Sequence, residues 1–401
     1  MKRETIVSLG LAMFTMLFGA GNIVFPLVLG RHCGGHIWLA LLGFALTAVL
    51  LPILGFVATV LCGGDFSRLL KYLGDIPGAA MVFLIMLLIG PLCAIPRCIL
   101  LSYGTLRSII PSMNMVAFSS VASVVVFVGA YWPALIVKAF GRFFGPLKLA
   151  MIGFLVFKCL TLPGAPAVEA VSHPFIEGLV AGYETMDLLA ALVITGLMSI
   201  SMPWIIYGDD RTALNGIVKK TVQIGCIGGL ALSLVYAGFA LSAARFASVL
   251  ASIGSDELLT VLAVHVLGGH GHIVATTIVL VTCLTTAVVL SAAVARYLEH
   301  MFRQYEWPYG RYLLVTCLLA TGMSFAGFDG LTRAVEPVVL ILYPVVILLA
   351  CAVIGLKLRV PRAKRDERHV VDRFFGSERH HEVQQRVAAA RRAAMQSNQR
   401  Q

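Results

Sequence analysis

The sequence predicts an all-α polytopic membrane protein with ten transmembrane helices. Three observations carry this expectation. Apolar residues make up 59% of the 401 and charged residues 13%, against about 45–50% and about 25% in a soluble domain. The apolar residues gather into runs long enough to cross a bilayer, which takes about 20 residues. Basic residues between the runs are plentiful on one side and sparse on the other, as the positive-inside rule requires. So little charge does not cover soluble domains of this size, which excludes a soluble enzyme, a nucleic-acid-binding domain and a disordered chain. The formal charge of +11 is no argument for a polyanionic partner. Residues 357–401 hold 12 Lys and Arg against 5 Asp and Glu, and nothing interleaves basic with aromatic residues as a nucleic-acid binder does.

In chain order the spans are expected at about 5–30, 37–61, 78–104, 116–137, 145–162, 180–203, 217–241, 272–295, 311–327 and 333–356. The first follows Met1-Lys2-Arg3-Glu4 and has no small-residue cleavage site. Its apolar run exceeds that of a signal peptide, so it is read as retained. The last two are separated only by a turn around Gly327, Asp329 and Gly330. With the amino terminus in the cytoplasm, inner loops carry Arg68 and Lys71; Lys138 and Arg142; Arg211, Lys219 and Lys220; Arg296, Arg303 and Arg311; then the tail. Outer loops carry only Arg31, Arg107, Arg245 and Arg333. Both termini are therefore expected inside, with a core over residues 1–356 and a basic cytoplasmic tail over 357–401. The longest outer segments, roughly 163–179 and 243–271, show no folded-domain pattern. The nine cysteines form no CxxC pair and read as small core residues.

Chemistry is then expected where helices break, because polar backbone at membrane depth is tolerated only when it is buried in protein or lines a cavity. The first span contains Phe18-Gly19-Ala20-Gly21-Asn22-Ile23-Val24-Phe25-Pro26. Gly19 lies about 21 Å along the helix from Thr5, past the midplane of a core about 30 Å thick. The stretch reads as an unwound, cavity-lining segment, with a simple kink as the alternative. The sixth span opens with Gly182-Tyr183-Glu184-Thr185-Met186-Asp187. An intramembrane carboxylate is a functional candidate by default; the alternative, acids in water at the outer interface, is stronger for Glu184 than for Asp187. The two breaks stand about 163 residues apart and open two five-helix halves, about 5–162 and 180–356. Five is odd, so the halves are inverted, an arrangement that points to a transporter binding site. Thr282, Thr285 and Thr286, with Ser291, add hydroxyls on the eighth span. They either ligate a small cation or bond back to their own helix.

Phe18 to Pro26, Gly90-Pro91-Leu92 with Ala94-Ile95-Pro96-Arg97, Gly182 to Asp187, Cys283 to Ala287 and Tyr343-Pro344 closely resemble the branched-chain amino acid:cation symporter family (LIVCS, BrnQ-type). The motifs occur in order and span residues 5–356. The resemblance implies a leucine-transporter-type fold, two inverted five-helix repeats with broken helices 1 and 6, working by alternating access. It implies uptake of leucine, isoleucine and valine with sodium, or another monovalent cation such as H+ or Li+, across the bacterial plasma membrane. No tightly bound cofactor, transition metal or covalent chemistry is implied. By the same resemblance, the Gly19-Ala20-Gly21 backbone holds the substrate carboxylate. Tyr183, Thr185, Met186 and Asp187 form the facing wall near its ammonium group. Carbonyls near Thr15 and Phe18, with the Thr285 and Thr286 hydroxyls, take the cation. Asn22 serves a second cation position or holds the break. Two departures stand out: family members usually carry two further spans beyond the position of Leu356, and Glu184 stands where a neutral residue is common.

Arg97, near the outer end of the third span, either snorkels to the interface or pairs with Asp187 or Glu184 to gate the vestibule. His265, His270 and His272 read as a solvated outer loop rather than a metal site. Gly225-Cys226-Ile227-Gly228-Gly229 reads as close helix packing. Val383 to Gln399 reads as a helix, on anionic lipid or in solvent. The expected function is a secondary symporter. Its rivals are a carrier of another small amino acid or amine coupled to protons through Glu184 or Asp187, and a sensor that binds without flux. An enzyme acting on lipid lacks the required nucleophile or metal set.

Overall fold

The computed structural model describes residues 3–132, 145–164, 172–199 and 211–359, and among these it is helical with no strand. Helix α1 (Arg3–Leu17) leads through a break into α2 (Gly21–Cys33). Next come α3 (Ile37–Ala45), α4 (Leu51–Leu61), the short α5 (Phe66–Leu70), α6 (Asp75–Leu87), α7 (Ala94–Arg107) and α8 (Met115–Tyr131). Then follow α9 (Gly145–Thr161), α10 (Pro174–Glu184), α11 (Asp187–Ser199), α12 (Arg211–Arg245), α13 (Ala247–Leu250) and α14 (Leu258–Leu267). The last are α15 (His270–Met301), α16 (Tyr309–Ser324) and α17 (Phe328–Arg359).

Among the described residues, six stretches are long and apolar enough to cross a membrane: Gly21–Leu61, Asp75–Arg107, Pro174–Gly196, Gly216–Arg245, His270–Met301 and Phe328–Lys357. The difference from the ten expected spans has a physical origin. The first span is interrupted, so α1 stands alone as a short apolar helix. Helices α8, α9 and α16 have only 17, 17 and 16 residues, short of the length that spans a bilayer without tilt or flanking support. Each expected run overlaps described helix, although 133–137 of the fourth and 200–203 of the sixth lie outside the described residues, and the turn between the last two is set by Gly327 at φ +75°.

Two further spans are distorted. Leu46–Leu50 is a π turn joining α3 to α4. Leu88–Leu92 joins α6 to α7 with Gly90 at φ −103°, ψ −120° and Pro91 inside the turn, where proline removes a helix hydrogen bond. The outer segment 243–271 corrects its expectation. It folds into α13 and α14, with Leu258, Leu259, Leu262 and Ala263 buried, because these apolar residues recur at helical spacing. Arg31 at the end of α2 donates to the Ile253 carbonyl at 2.7 Å and holds this segment down. The three histidines lie on this structure rather than in an open loop: His265 is in α14, and His270 and His272 are in the first turn of α15. The His265 ring meets Phe246 edge-on at 5.3 Å, and no metal-holding group occurs among the described residues.

The packing follows a reciprocal pattern. Both halves of the first broken helix, α1 and α2, lie along α12, while α10 lies on α3 and α11 on α4. Helix α7 packs on α15. Glycines make the close approaches: a Cβ at Gly228 would stand 2.9 Å from the Gly10 carbonyl and one at Gly225 3.0 Å from Ile53, as expected for that small-residue stretch. Aromatic side chains fill the centre, with Phe14, Phe18, Phe44, Phe56 and Tyr236 all buried. The outer faces are apolar too, with Trp38, Leu42, Leu230, Ile341 and Leu348 more than 60% exposed. Such a belt suits hydrocarbon as solvent and would be an aggregation hazard in water. The loop cations Lys138 and Arg142, residues 200–203 and the tail helix at 383–399 lie outside the described residues.

Candidate functional site

The two predicted breaks meet. Helix α1 ends at Leu17 and α2 begins at Gly21; α10 ends at Glu184 and α11 begins at Asp187. Between them lies a cavity. Gly19, Ala20, Gly21 and Asn22 line it from the first break; Thr185, Met186 and Asp187 line it from the second. The kink reading of the first break is thereby set aside: the backbone leaves the helix and lines a cavity.

Hydrogen bonds join the breaks. The Gly19 amide donates to Asn22 Oδ1 at 2.7 Å, closing the first break. Asn22 Nδ2 faces both carboxylate oxygens of Asp187, at 2.8 and 2.7 Å, and also contacts the Tyr236 hydroxyl. Tyr236 on α12 donates to Asp187 Oδ2 at 2.6 Å. The three side chains are 2%, 1% and 1% exposed, so each buried polar group finds partners, as it must. Asp187 is therefore no interfacial acid in water. Thr185 directs its hydroxyl to the Gly182 carbonyl at 2.8 Å. Met186 sits at φ +62°, a left-handed conformation that costs a non-glycine residue about 1–3 kcal/mol and clusters at ligand clamps. Helix α2 starts without a side-chain cap, and its first residues, Gly21 and Asn22, line the cavity, where a helix start offers amides that the helix itself does not use.

Not every expected residue joins the cavity. Tyr183 does not line it; its ring lies tilted against that of Tyr343, centroids 4.7 Å apart. Arg97 does line the cavity, but it corrects both readings made for it. At 3% exposure it does not snorkel. It donates to the Glu184 backbone carbonyl at 2.8 Å and to Thr332 at 3.1 Å, with its guanidinium 5.1 Å from the Phe25 ring. No ion pair to Glu184 or Asp187 occurs among the described residues. The half-buried Glu184 thus meets Arg97 through its backbone.

The expected cation ligands separate into two groups. Thr285 bonds back to the Thr282 carbonyl at 2.8 Å, the self-satisfied alternative. Thr286 lines the cavity and donates to the Phe18 carbonyl at 3.3 Å. The Thr15 hydroxyl turns back to Leu11 at 2.9 Å, but its carbonyl and that of Phe18 point to one place. Lys148 Nζ of α9 lies there, 3.5 Å from the first and 3.4 Å from the second. Lys148 and Tyr236 are the two site residues that sequence reasoning missed. The signal for Lys148 was a single cation a few positions into an apolar run.

Comparisons with known proteins follow the same line. A family model described as branched-chain amino acid transport protein matches residues 2–370. The branched-chain amino acid permease BrnQ of Salmonella typhimurium is 31% identical over 356 residues, 86% of this chain and 79% of that one. BrnQ of Escherichia coli is 30% identical over the same shares. BraB of Bacillus subtilis is 27% identical over 360 residues, again 86% and 79%. A solved structure, "Inward facing conformation of Mhp1", superimposes with a TM-score of 0.59 at 15% identity, covering 92% of this chain and 77% of that one. At that identity the likeness bears on fold alone.

Proposed function

We propose that this chain, which belongs to the branched-chain amino acid transport protein family, imports leucine, isoleucine and valine by cation-coupled symport across the bacterial inner membrane. The family is one of transporters and not of enzymes, and its members named above are permeases. One observation carries the substrate assignment. The cavity has an uncapped helix start at Gly21 on one side and the Asp187 carboxylate on the other. Orphan amides and the helix dipole suit a carboxylate, and Asp187 suits an ammonium. Its oxygens accept from Asn22 and Tyr236 but have lone pairs to spare. A zwitterion fits between them. Met16, Leu17, Ile89, Ala190 and Leu290 supply an apolar lining for its side chain. Such a lining separates neighbours by only about 1–3 kcal/mol per methylene, so the three substrates should overlap.

Two inverted repeats, about 5–162 and 180–356, with both termini cytoplasmic, account for the reciprocal packing of the broken helices. Alternating access follows as the two repeats rock about the shared cavity. Sodium is the first coupling ion to test. Proton coupling is the second reading, favoured by the fully buried Asp187 at the cavity wall. Labelled leucine uptake by the purified protein in liposomes decides between them. Accumulation above equilibrium only with an inward sodium gradient supports sodium symport, and accumulation following a proton gradient supports the second reading. Leucine binding without flux would reduce the protein to a sensor.

A further inference from the structure

We propose that the bracket formed by the Thr15 and Phe18 carbonyls and the Thr286 hydroxyl is a cation site filled by the chain's own Lys148 ammonium, which excludes sodium from it. Lys148 is 2% exposed. A buried ammonium needs compensation, because removing a charge from water costs far more than a neutral group. No carboxylate supplies it: among the described residues Lys148 forms no ion pair. Compensation comes instead from the two carbonyls at 3.5 and 3.4 Å and from ring faces. The Phe18 ring centroid lies 4.8 Å from Nζ and that of Phe14 5.7 Å, within the reach of cation–π attraction.

Neutral oxygens around a single positive charge are what a small monovalent ion uses when it sheds water. The Phe18 carbonyl is freed by the helix break itself. Thr286 brings in the third oxygen from α15, bonding that same carbonyl at 3.3 Å. The ammonium and a sodium ion carry equal charge and would compete for the same lone pairs. At contact distance in a medium of low polarity they also repel each other strongly. The bracket therefore has one tenant, and it is tethered. A diffusible ion leaves when the bracket opens; the Lys148 ammonium stays attached to α9.

This deepens the cation-coupled reading above in its proton-coupled form and rests on it for the leucine measurement, but not for the sodium one. Binding of radioactive sodium to the purified full-length chain is measured for the wild type and for Lys148→Ala, which empties the bracket without touching its oxygens. Lys148→Ala is expected to gain one saturable sodium site over the wild type; equal stoichiometry would overturn the proposal. Leucine affinity is then compared in sodium chloride and choline chloride. Sodium should raise that of Lys148→Ala by about 5–150-fold, the usual range for two coupled ligands, and that of the wild type by less than about twofold. An equal sodium effect in both proteins would also overturn it. Should Lys148→Ala fail to fold, Lys148→Met fills the space without the charge. It is expected to bind leucine weakly in either salt, and wild-type affinity would count against the ammonium. If no form binds leucine, the substrate assignment fails while the sodium comparison still decides the bracket.

Discussion

On the proposed reading Asp187 does two jobs at once, fastening the breaks through Asn22 and Tyr236 and presenting a charge to the cavity, and substitutions separate them. Asp187→Asn keeps the shape and loses the charge that meets an ammonium. Leucine affinity should fall by about 10–150-fold, the equivalent of a charged hydrogen bond worth about 1.5–3 kcal/mol. Tyr236→Phe removes one neutral donor and keeps the charge, so its loss should stay near tenfold or less. Equal losses in a binding assay would mean that Asp187 acts only as a fastening. Much of this site was legible in the sequence, since Gly19, Gly21, Asn22 and Asp187 interrupt otherwise apolar runs. Rotamers were not: Thr285 and Thr286 are adjacent and chemically alike, yet one bonds its own helix and the other the first break. Lys148 was passed over because a lysine near a helix end ordinarily snorkels outward; only packing shows that this one points in.

Helix pairs here approach through glycine, and the approach of α10 to α3 is among the close ones of the described residues. A Cβ at Gly178 would press into the Ala40 carbonyl, and one at Gly43 into the Phe175 carbonyl. Gly178→Ala must therefore push the helices apart, at the roughly 1–3 kcal/mol typical of overpacking, read as a lower unfolding temperature in detergent. Gly153→Ala in α9 is the contrast, because nothing lies within 4 Å of its added methyl. It should be neutral or stabilise by about 0.5–1 kcal/mol, the helix-interior penalty of glycine. Element order and most helix limits followed from hydropathy. The exceptions are the π turns at 46–50 and 88–92 and the short helices α5, α13 and α14. The two π turns depend on neighbours, as where Gly90 packs against Val294. The three short helices are shorter than any window that detects a span.

For the whole molecule, the proposed transport rests on residues 1–356, and removing residues 362–401 is expected to leave leucine uptake unchanged in liposomes. Complete loss in correctly inserted protein would place a function in the tail. Ten apolar runs and their loop charges could be counted in the sequence, but the partnership between the halves could not, because hydropathy says nothing about which span touches which. That partnership bears on biosynthesis. The first broken helix lies along α12, and the second along α3 and α4, so each half is completed by the other. Asn22 enters the bilayer long before Asp187 and Tyr236 are translated, and until then its amide has neither lasting partner. A newborn first half is thus a client for quality control, not a domain in waiting. Residues 1–164 and 172–401, made as separate chains, should each be degraded alone and accumulate together only when co-expressed.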